Sequence, residues 1–235
     1  MVFFCNICGL KLKIINKYRM IEILSADYMA EESVSDIVLE ADESEIDAEL
    51  LVYPQFPRGY HECVVIFRKL CEYVISRGIF FFHSAVVEFE NNGYVFTGKS
   101  GAGKSTHAAL WEKYMPSAVI INGDKPLIKP EDDGVYAYST PWCGKEMKQK
   151  NKSVRVVGVC FIEQAKENSI VKLSPTQVIG RIFNQTVYMK DPILNEQLMG
   201  LIDRFVTDVP FYLLKCDMSE EAVKMAYNKM KPEDR

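Results

Sequence analysis

The sequence predicts an α/β protein: a mixed sheet built around a phosphate-cradling loop, with a β-rich N-terminal region. Three observations predict it. The stretch Gly98-Lys99-Ser100-Gly101-Ala102-Gly103-Lys104-Ser105-Thr106 fits G-x-x-x-x-G-K-[ST]. The β-rich run Tyr94–Thr97 leads into it, and a helical stretch from Thr106 to Met115 leads out, stopped by Pro116. Just upstream, Glu90-Asn91-Asn92-Gly93 joins two apolar runs through Asn-Gly, a hairpin signal. The strand feeding the loop therefore has an antiparallel neighbour. Most phosphate loops leave a parallel sheet with strand–helix–strand connections, so the sheet expected here is mixed.

Each element follows from local pattern. Met1 to Gly9 is apolar but lacks a basic start and a long apolar run, so it reads as a strand and not a signal peptide. Leu10, Leu12 and Ile14 alternate with Lys11 and Lys13, which is strand periodicity. Residues 31–49 carry nine acids, interrupted by Ile37-Val38-Leu39, and read as a solvated loop, a strand and a second loop. Pro54, Pro57 and Gly59 make a break. His61 to Arg77 then reads as a helix, with Val64, Phe67, Leu70, Cys71, Val74 and Ile75 at helical spacing.

Ile79 to Phe89 is expected as one strand carrying His83. After the loop helix come a short strand, Val119–Asn122, and a hairpin of Leu127-Ile128 with Val135–Tyr138 around Asp133-Gly134. Ser139 to Lys152 is polar and reads as a loop over the site. Strands are expected at Val154–Ile162, Ile170–Leu173 and Phe211–Leu214, and helices at Thr176–Tyr188 and Pro192–Val206. Ser219 caps a last helix, with Glu220 and Glu221 in its first turn. The domain expectation is a β-rich segment, 1–60, packed on a nucleotide-binding domain, 61–235.

Composition narrows the function. A net charge of −4 over 235 residues argues against a broad nucleic-acid footprint. No apolar run reaches membrane-spanning length. Seven cysteines scattered through apolar runs suggest buried thiols in a reducing cytoplasm. Cys5-x-x-Cys8 has the form of half a zinc site, but no second pair follows at metal spacing, so core packing is the better reading. A homo-oligomer stays open.

The candidate site follows from what phosphate binding needs. Gly98, Gly101 and Gly103 let the backbone approach an anion that a Cβ would keep away. Lys99, Ser100 and Ala102 lie within the loop, and Thr106 follows it. The next helix directs its positive end at the phosphates. Lys104 reaches the β- and γ-phosphates, and Ser105 is a Mg²⁺ ligand. Asp124, ending a strand next to the loop, is the candidate base or second metal ligand. Glu163, ending the apolar strand Val156–Ile162, is its rival as a water-polarising acid. His83, fifteen residues before the loop, is either a core histidine or a phosphate contact that tunes the carboxylate. His107 is expected to pack. Lys145, Lys148, Lys150, Lys152 and Arg155 are either a clamp for an anionic substrate or a solvated loop.

At His83, Gly98–Ser105 and Asp124 the chain resembles the HPr kinase/phosphorylase family and the related ATP/GTP-dependent phosphoenolpyruvate carboxykinases. The resemblance covers residues 79–130 well and 131–215 in outline. It implies a kinase core binding ATP or GTP with Mg²⁺, and His83, Lys104 and Asp124 as catalytic residues. It also implies a phosphoryl acceptor that is a small molecule or a peptide or protein. The departures are specific. The family has two adjacent acids where this chain has Asp124-Lys125, and the later Gly-rich phosphorylase signature is not evident. Three readings stay open: a hydroxyl kinase, a nucleotide-binding accessory protein without turnover (for example in peptide maturation), and an ATPase using Glu163.

Overall fold

The computed structural model describes residues 1–232. The N-terminal part folds as a four-stranded sheet, order β3-β1-β2-β4, from β1 (Val2–Ile7), β2 (Leu10–Ile15), β3 (Met29–Ala30) and β4 (Ile37–Glu40). A short helix, α1 (Met20–Leu24), lies between β2 and β3. The second half of the acidic stretch is not a loop, contrary to the expectation. It is the helix α2 (Glu43–Val52). The missed signal was Asp42-x-x-Glu45, a capping box in which each side chain bonds the other's backbone N–H. The acids of this helix then find partners on the next one, α3 (Arg58–Ile75): Arg58 with Glu43 and Asp47, Arg68 with Glu49, and Lys69 with Glu45.

Helix α3 starts at Arg58, immediately after Pro57, and not at His61. It shares one core with the N-terminal sheet. Ile7, Leu12, Ile14 and Leu39 pack with Val65, Ile66, Leu70 and Val74, and Phe81, Leu127 and Trp142 of the following part join them. The Trp142 indole N–H also donates to the Cys63 carbonyl, 3.0 Å. Cys5 is buried in this core and Cys8 packs against it, where burial pushes both thiols up to about 12.

The expected strand Ile79–Phe89 is two strands. β5 (Phe80–Phe81) pairs with β9 (Leu127–Glu131), and β6 (Ser84–Phe89) pairs with β7 (Asn92–Thr97) and β8 (Val119–Asn122). Phe82 and His83 form the joint where the chain changes partner. The remaining elements are α4 (Lys104–Tyr114), β10 (Gly134–Tyr138), β11 (Ser153–Gln164), β12 (Ser169–Lys172), α5 (Pro175–Ile182), α6 (Pro192–Asp208), β13 (Phe211–Cys216) and α7 (Glu220–Met230). A 3-10 turn at Phe183–Gln185 ends the segment expected as one helix to Tyr188. The large sheet runs β5-β9-β10-β11-β7-β6-β8, with β13 beside β11 and β12 beside β13. It is mixed: β7, β11 and β13 are parallel, and β6 is antiparallel to β7 and β8.

Side-chain alternation explains the layers. Val86, Val95, Val159 and Phe161 point to one face and pack with Ile182, Ile202 and Phe205 of α5 and α6. Their neighbours Ala85, Val87, Tyr94, Phe96, Cys160 and Ile162 point to the other, against Ala108 and Trp111 of α4 and Ala222, Val223 and Ala226 of α7. Both faces are covered, so these strands are apolar throughout and position their ends firmly. Among the described residues, no helix is long and apolar enough to cross a membrane.

Candidate functional site

Strand direction brings the candidate residues to one end of the sheet. The pairs Ser84↔Thr97 and Phe161↔Thr97 align the start of β6 with the ends of β7 and β11. Val86↔Asn122 brings the end of β8 to the same rim. The Gly98–Ser105 loop, His83, Gly123-Asp124 and Glu163 therefore all lie at or just beyond that rim, outside the carboxyl ends of the parallel strands. Asp124 follows β8 at this rim, and β6 stands between β8 and the loop's own strand, β7. It is His83, at the head of that intervening strand, that bridges the gap.

The loop is shaped by its glycines. Gly101 and Gly103 have φ of 78° and 104°, in the left-handed region that favours glycine, with nothing within 4 Å of where a Cβ would stand. At Gly98 a Cβ would lie 3.0 Å from the Ile162 carbonyl. Gln164, at the end of β11, donates its side-chain N–H to the Gly101 carbonyl, 3.0 Å, and ties the loop to the sheet. Lys104 begins α4, is only 8% exposed, and donates to the Gly98 carbonyl, 3.1 Å. Burial pushes its ammonium below the usual lysine range, while the charge of Asp124 opposes that shift.

Asp124 sits in a turn with defined partners. The side-chain carbonyl of Asn122, fully buried, accepts from the backbone N–H groups of Asp124 (3.0 Å) and Lys125 (2.8 Å). The Asn122 amide donates to the Thr140 carbonyl, 2.9 Å, and the Thr140 hydroxyl donates to the Lys125 carbonyl, 2.7 Å. Gly123 has no room for a Cβ, which would meet the Cys143 carbonyl at 2.7 Å. The Asp124 carboxylate then receives His83 Nε2–H on Oδ1, 3.0 Å, and Lys125 Nζ on Oδ2, 2.6 Å. Burial alone would raise this carboxyl. The His83 hydrogen bond and the charge and hydrogen bond of Lys125 outweigh burial and hold it well below the usual carboxylate range. His83 is itself fixed at the backbone: its N–H donates to the Gln185 carbonyl, 2.6 Å, and its carbonyl accepts from the Thr97 hydroxyl, 2.8 Å.

The other candidates are placed differently. Glu163 pairs with Arg181 of α5, 2.9 Å, across a cleft of about 860 Å³ that the loop lines from Gly98 to Ala102. His107 packs, as expected, accepting from the Trp111 indole, 3.1 Å, with burial pushing it down to about 4. Three of the five basic residues in the segment are engaged elsewhere in the fold. Lys148 is bonded to Glu112, Lys152 to Glu88 at 2.6 and 2.7 Å, and Arg155 lies against Gly134 at the β9–β10 hairpin. The segment's neighbour Gly144, with φ 83°, instead packs against the Asp124 side chain.

Asn122, Gln164 and Gln185 were missed by the sequence reading. Asn immediately before Gly-Asp at a strand end is an Asx-turn signal and could have been found. The two glutamines act through partners distant in sequence and carry no local signal.

For a divalent cation the fit is partial but consistent. Among the described residues, no group of three or more His, Cys, Asp or Glu could hold a metal. A Mg²⁺ that arrives with phosphates and keeps several waters needs only one or two protein oxygens, and the Asp124 oxygens already accept from His83 and Lys125.

No family model matches the chain, and no curated protein matches it. Among solved structures, the HPr(Ser) kinase/phosphatase from Coxiella burnetii resembles it with a TM-score of 0.38 at 11% identity, over 63% of this chain and 89% of that one. A likeness of that size is a distant fold-level hint and adds no weight to the site.

Proposed function

We propose that the chain binds a nucleoside triphosphate, ATP or GTP with Mg²⁺, at Gly98–Thr106 and transfers its γ-phosphoryl group to a hydroxyl of a small molecule, peptide or protein. The observation that carries this reading is that the glycine loop, with Lys104 at the start of α4, and the turn after β8, with Asp124, lie at one rim of the sheet.

In the transfer, the acceptor oxygen bonds to the γ-phosphorus as the bond from that phosphorus to the β-bridging oxygen breaks, releasing the diphosphate. The loop amides and Lys104 hold the triphosphate and offset its charge. Bound Mg²⁺ would supply further neutralisation, held by Ser105 and the phosphates, which leaves Asp124 as the base. The acceptor proton passes to the Asp124–His83 pair. A carboxylate held so low is a weak base. A weak base suffices when the transition state is loose, because the acceptor loses its proton late.

One observation favours a second reading, nucleotide binding without turnover. The Lys125 ammonium lies on Asp124 Oδ2, so the carboxylate already has two cationic or donor partners. The ATPase reading is weakened by Glu163, whose carboxylate is paired with Arg181. All cysteines except Cys8 are buried, which supports a reducing compartment, the cytoplasm. The net charge supports neither nucleic acid nor an anionic surface as partner.

The test is diphosphate formation from ATP and GTP with Mg²⁺ over a panel of hydroxyl acceptors, for the wild type and Glu163→Gln. The kinase reading expects turnover that depends on acceptor and survives Glu163→Gln. Loss of all turnover in Glu163→Gln alone would sink it, and saturable binding with no turnover on any acceptor would favour the accessory reading.

A further inference from the structure

Neighbouring side chains on an extended chain point to opposite sides, yet those of Asp124 and Lys125 meet. The turn after β8 brings them together. Asn122 Oδ1 takes both backbone N–H groups, and the Lys125 ammonium returns to Asp124 Oδ2, 2.6 Å away. The lysine is held beyond that contact. Its carbonyl accepts from the Thr140 hydroxyl, 2.7 Å. Its ammonium stands 5.9 Å from the centroid of the Phe67 ring, within cation–π reach. Phe67, on α3, is buried in the N-terminal core, edge-on to Phe81 and tilted against Trp142. A lysine side chain is long and loses much rotamer freedom when fixed. Here the turn and α3 together fix it on one carboxylate oxygen.

That placement decides what else can sit there. A Mg²⁺ bound directly to Asp124 would stand about 2.1 Å from an oxygen. The ammonium at 2.6 Å already fills the approach to Oδ2, and His83 Nε2–H lies on Oδ1 at 3.0 Å. A second cation beside Lys125 would also meet its charge at short range. Nothing nearby compensates, since no group of three or more His, Cys, Asp or Glu among the described residues could hold a metal. Each carboxylate oxygen still keeps a second lone pair, so a hydroxyl can donate to Asp124.

We infer that Lys125 is the resident cation of Asp124, a positioning residue whose ammonium stands at Oδ2 where a divalent ion would otherwise bind and keeps the carboxylate metal-free. Mg²⁺ is then confined to Ser105 and the phosphates. What the positioned carboxylate is for rests on the phosphoryl-transfer reading above; the exclusion of metal from it does not.

The experiment uses the full chain without nucleotide and Mn²⁺ alone as the probe, with the free ion counted by electron paramagnetic resonance. Wild type, Lys125→Arg, Lys125→Met and Lys125→Gln are compared, each with a thermal melt. The Lys125 side chain is 32% exposed, and two neutral replacements cover a folding failure in either one. In a neutral variant whose melting temperature matches the wild type, Mn²⁺ affinity rises by about tenfold or more. Lys125→Arg stays at the wild-type level, and adding Asp124→Asn to the neutral variant abolishes the gain. No gain in a folded neutral variant overturns the inference, as does a wild-type Mn²⁺ site that Asp124→Asn removes. A wild type that fails to bind ATP in a separate titration overturns the phosphoryl-transfer reading instead, and leaves the metal result to stand or fall by itself.

Discussion

The loop after β7 and the turn after β8 meet at the same rim of the sheet, and they are built in opposite ways. In the loop, two glycines hold left-handed conformations with open space where a Cβ would stand, and Lys104 donates to the chain's own Gly98 carbonyl. In the turn, Asn122 fixes two backbone N–H groups, Gly123 is pressed against Cys143, and both Asp124 oxygens are engaged. The contrast teaches a division of labour. In the proposed reading, a loop that wraps an incoming polyanion keeps open space around its glycines, whereas a carboxylate that acts at one point is held in one geometry. His83 joins the two, since its backbone is fixed by Thr97, next to the loop, and its ring by Asp124.

The largest effect should come from the open side. Lys104→Ala is expected to weaken ATP binding by about 100-fold, the loss of one charged contact to a phosphate, with little change in unfolding midpoint. Calorimetric titration alongside a thermal melt checks it; a stability loss as large as the binding loss would erase the contrast, making the loop as structural as the turn.

Next come the glycines, which should separate the regions by stability. Gly123→Ala places a Cβ 2.7 Å from a backbone carbonyl and should cost about 2–3 kcal/mol. Gly101→Ala meets no atom and should cost only about 1 kcal/mol of backbone strain. Urea unfolding of both variants measures the difference, and equal costs would remove it.

A smaller effect should appear with pH at the packed base of α4. Burial holds His107 at about 4, below its ordinary value of 6.5. The unfolded chain then binds more protons at this site than the folded one, so this contribution is complete above about pH 6.5 and is lost as pH falls toward 4. Urea midpoints between about pH 6.5 and pH 5 should fall by the equivalent of about 1–2 kcal/mol, and His107→Gln should flatten the slope. The smallest effect belongs to the cleft rim: Arg181→Ala removes a half-exposed pair with Glu163 and should change stability by less than about 1 kcal/mol.

The sequence showed one of these regions far better than the other. The loop is a contiguous pattern whose glycines, lysine and serine each have a local reason to be there, and the hairpin feeding it was legible from Asn-Gly. The same was true of the core strands, whose apolar runs match a sheet covered on both faces. The turn was half legible. Gly123-Asp124 stood out, but the partners that fix it are Thr140, His83 and Cys143, brought together by strand pairing that no local pattern encodes. His83 looked like a strand residue because an apolar run does not reveal where a chain changes sheet partner. The acidic stretch was misread for a different reason: its charge concealed a capping box, and the cations that offset it lie on the following helix.

In the proposed reading the loop binds and the turn acts. Asp124→Asn tests it most directly, with ATP affinity and acceptor-dependent diphosphate formation measured on the same preparation. Loss of one carboxylate charge should leave affinity within about threefold, because the phosphates are held by the loop, while turnover falls by about 100-fold or more. Affinity that collapses together with turnover, or turnover that persists, would contradict it.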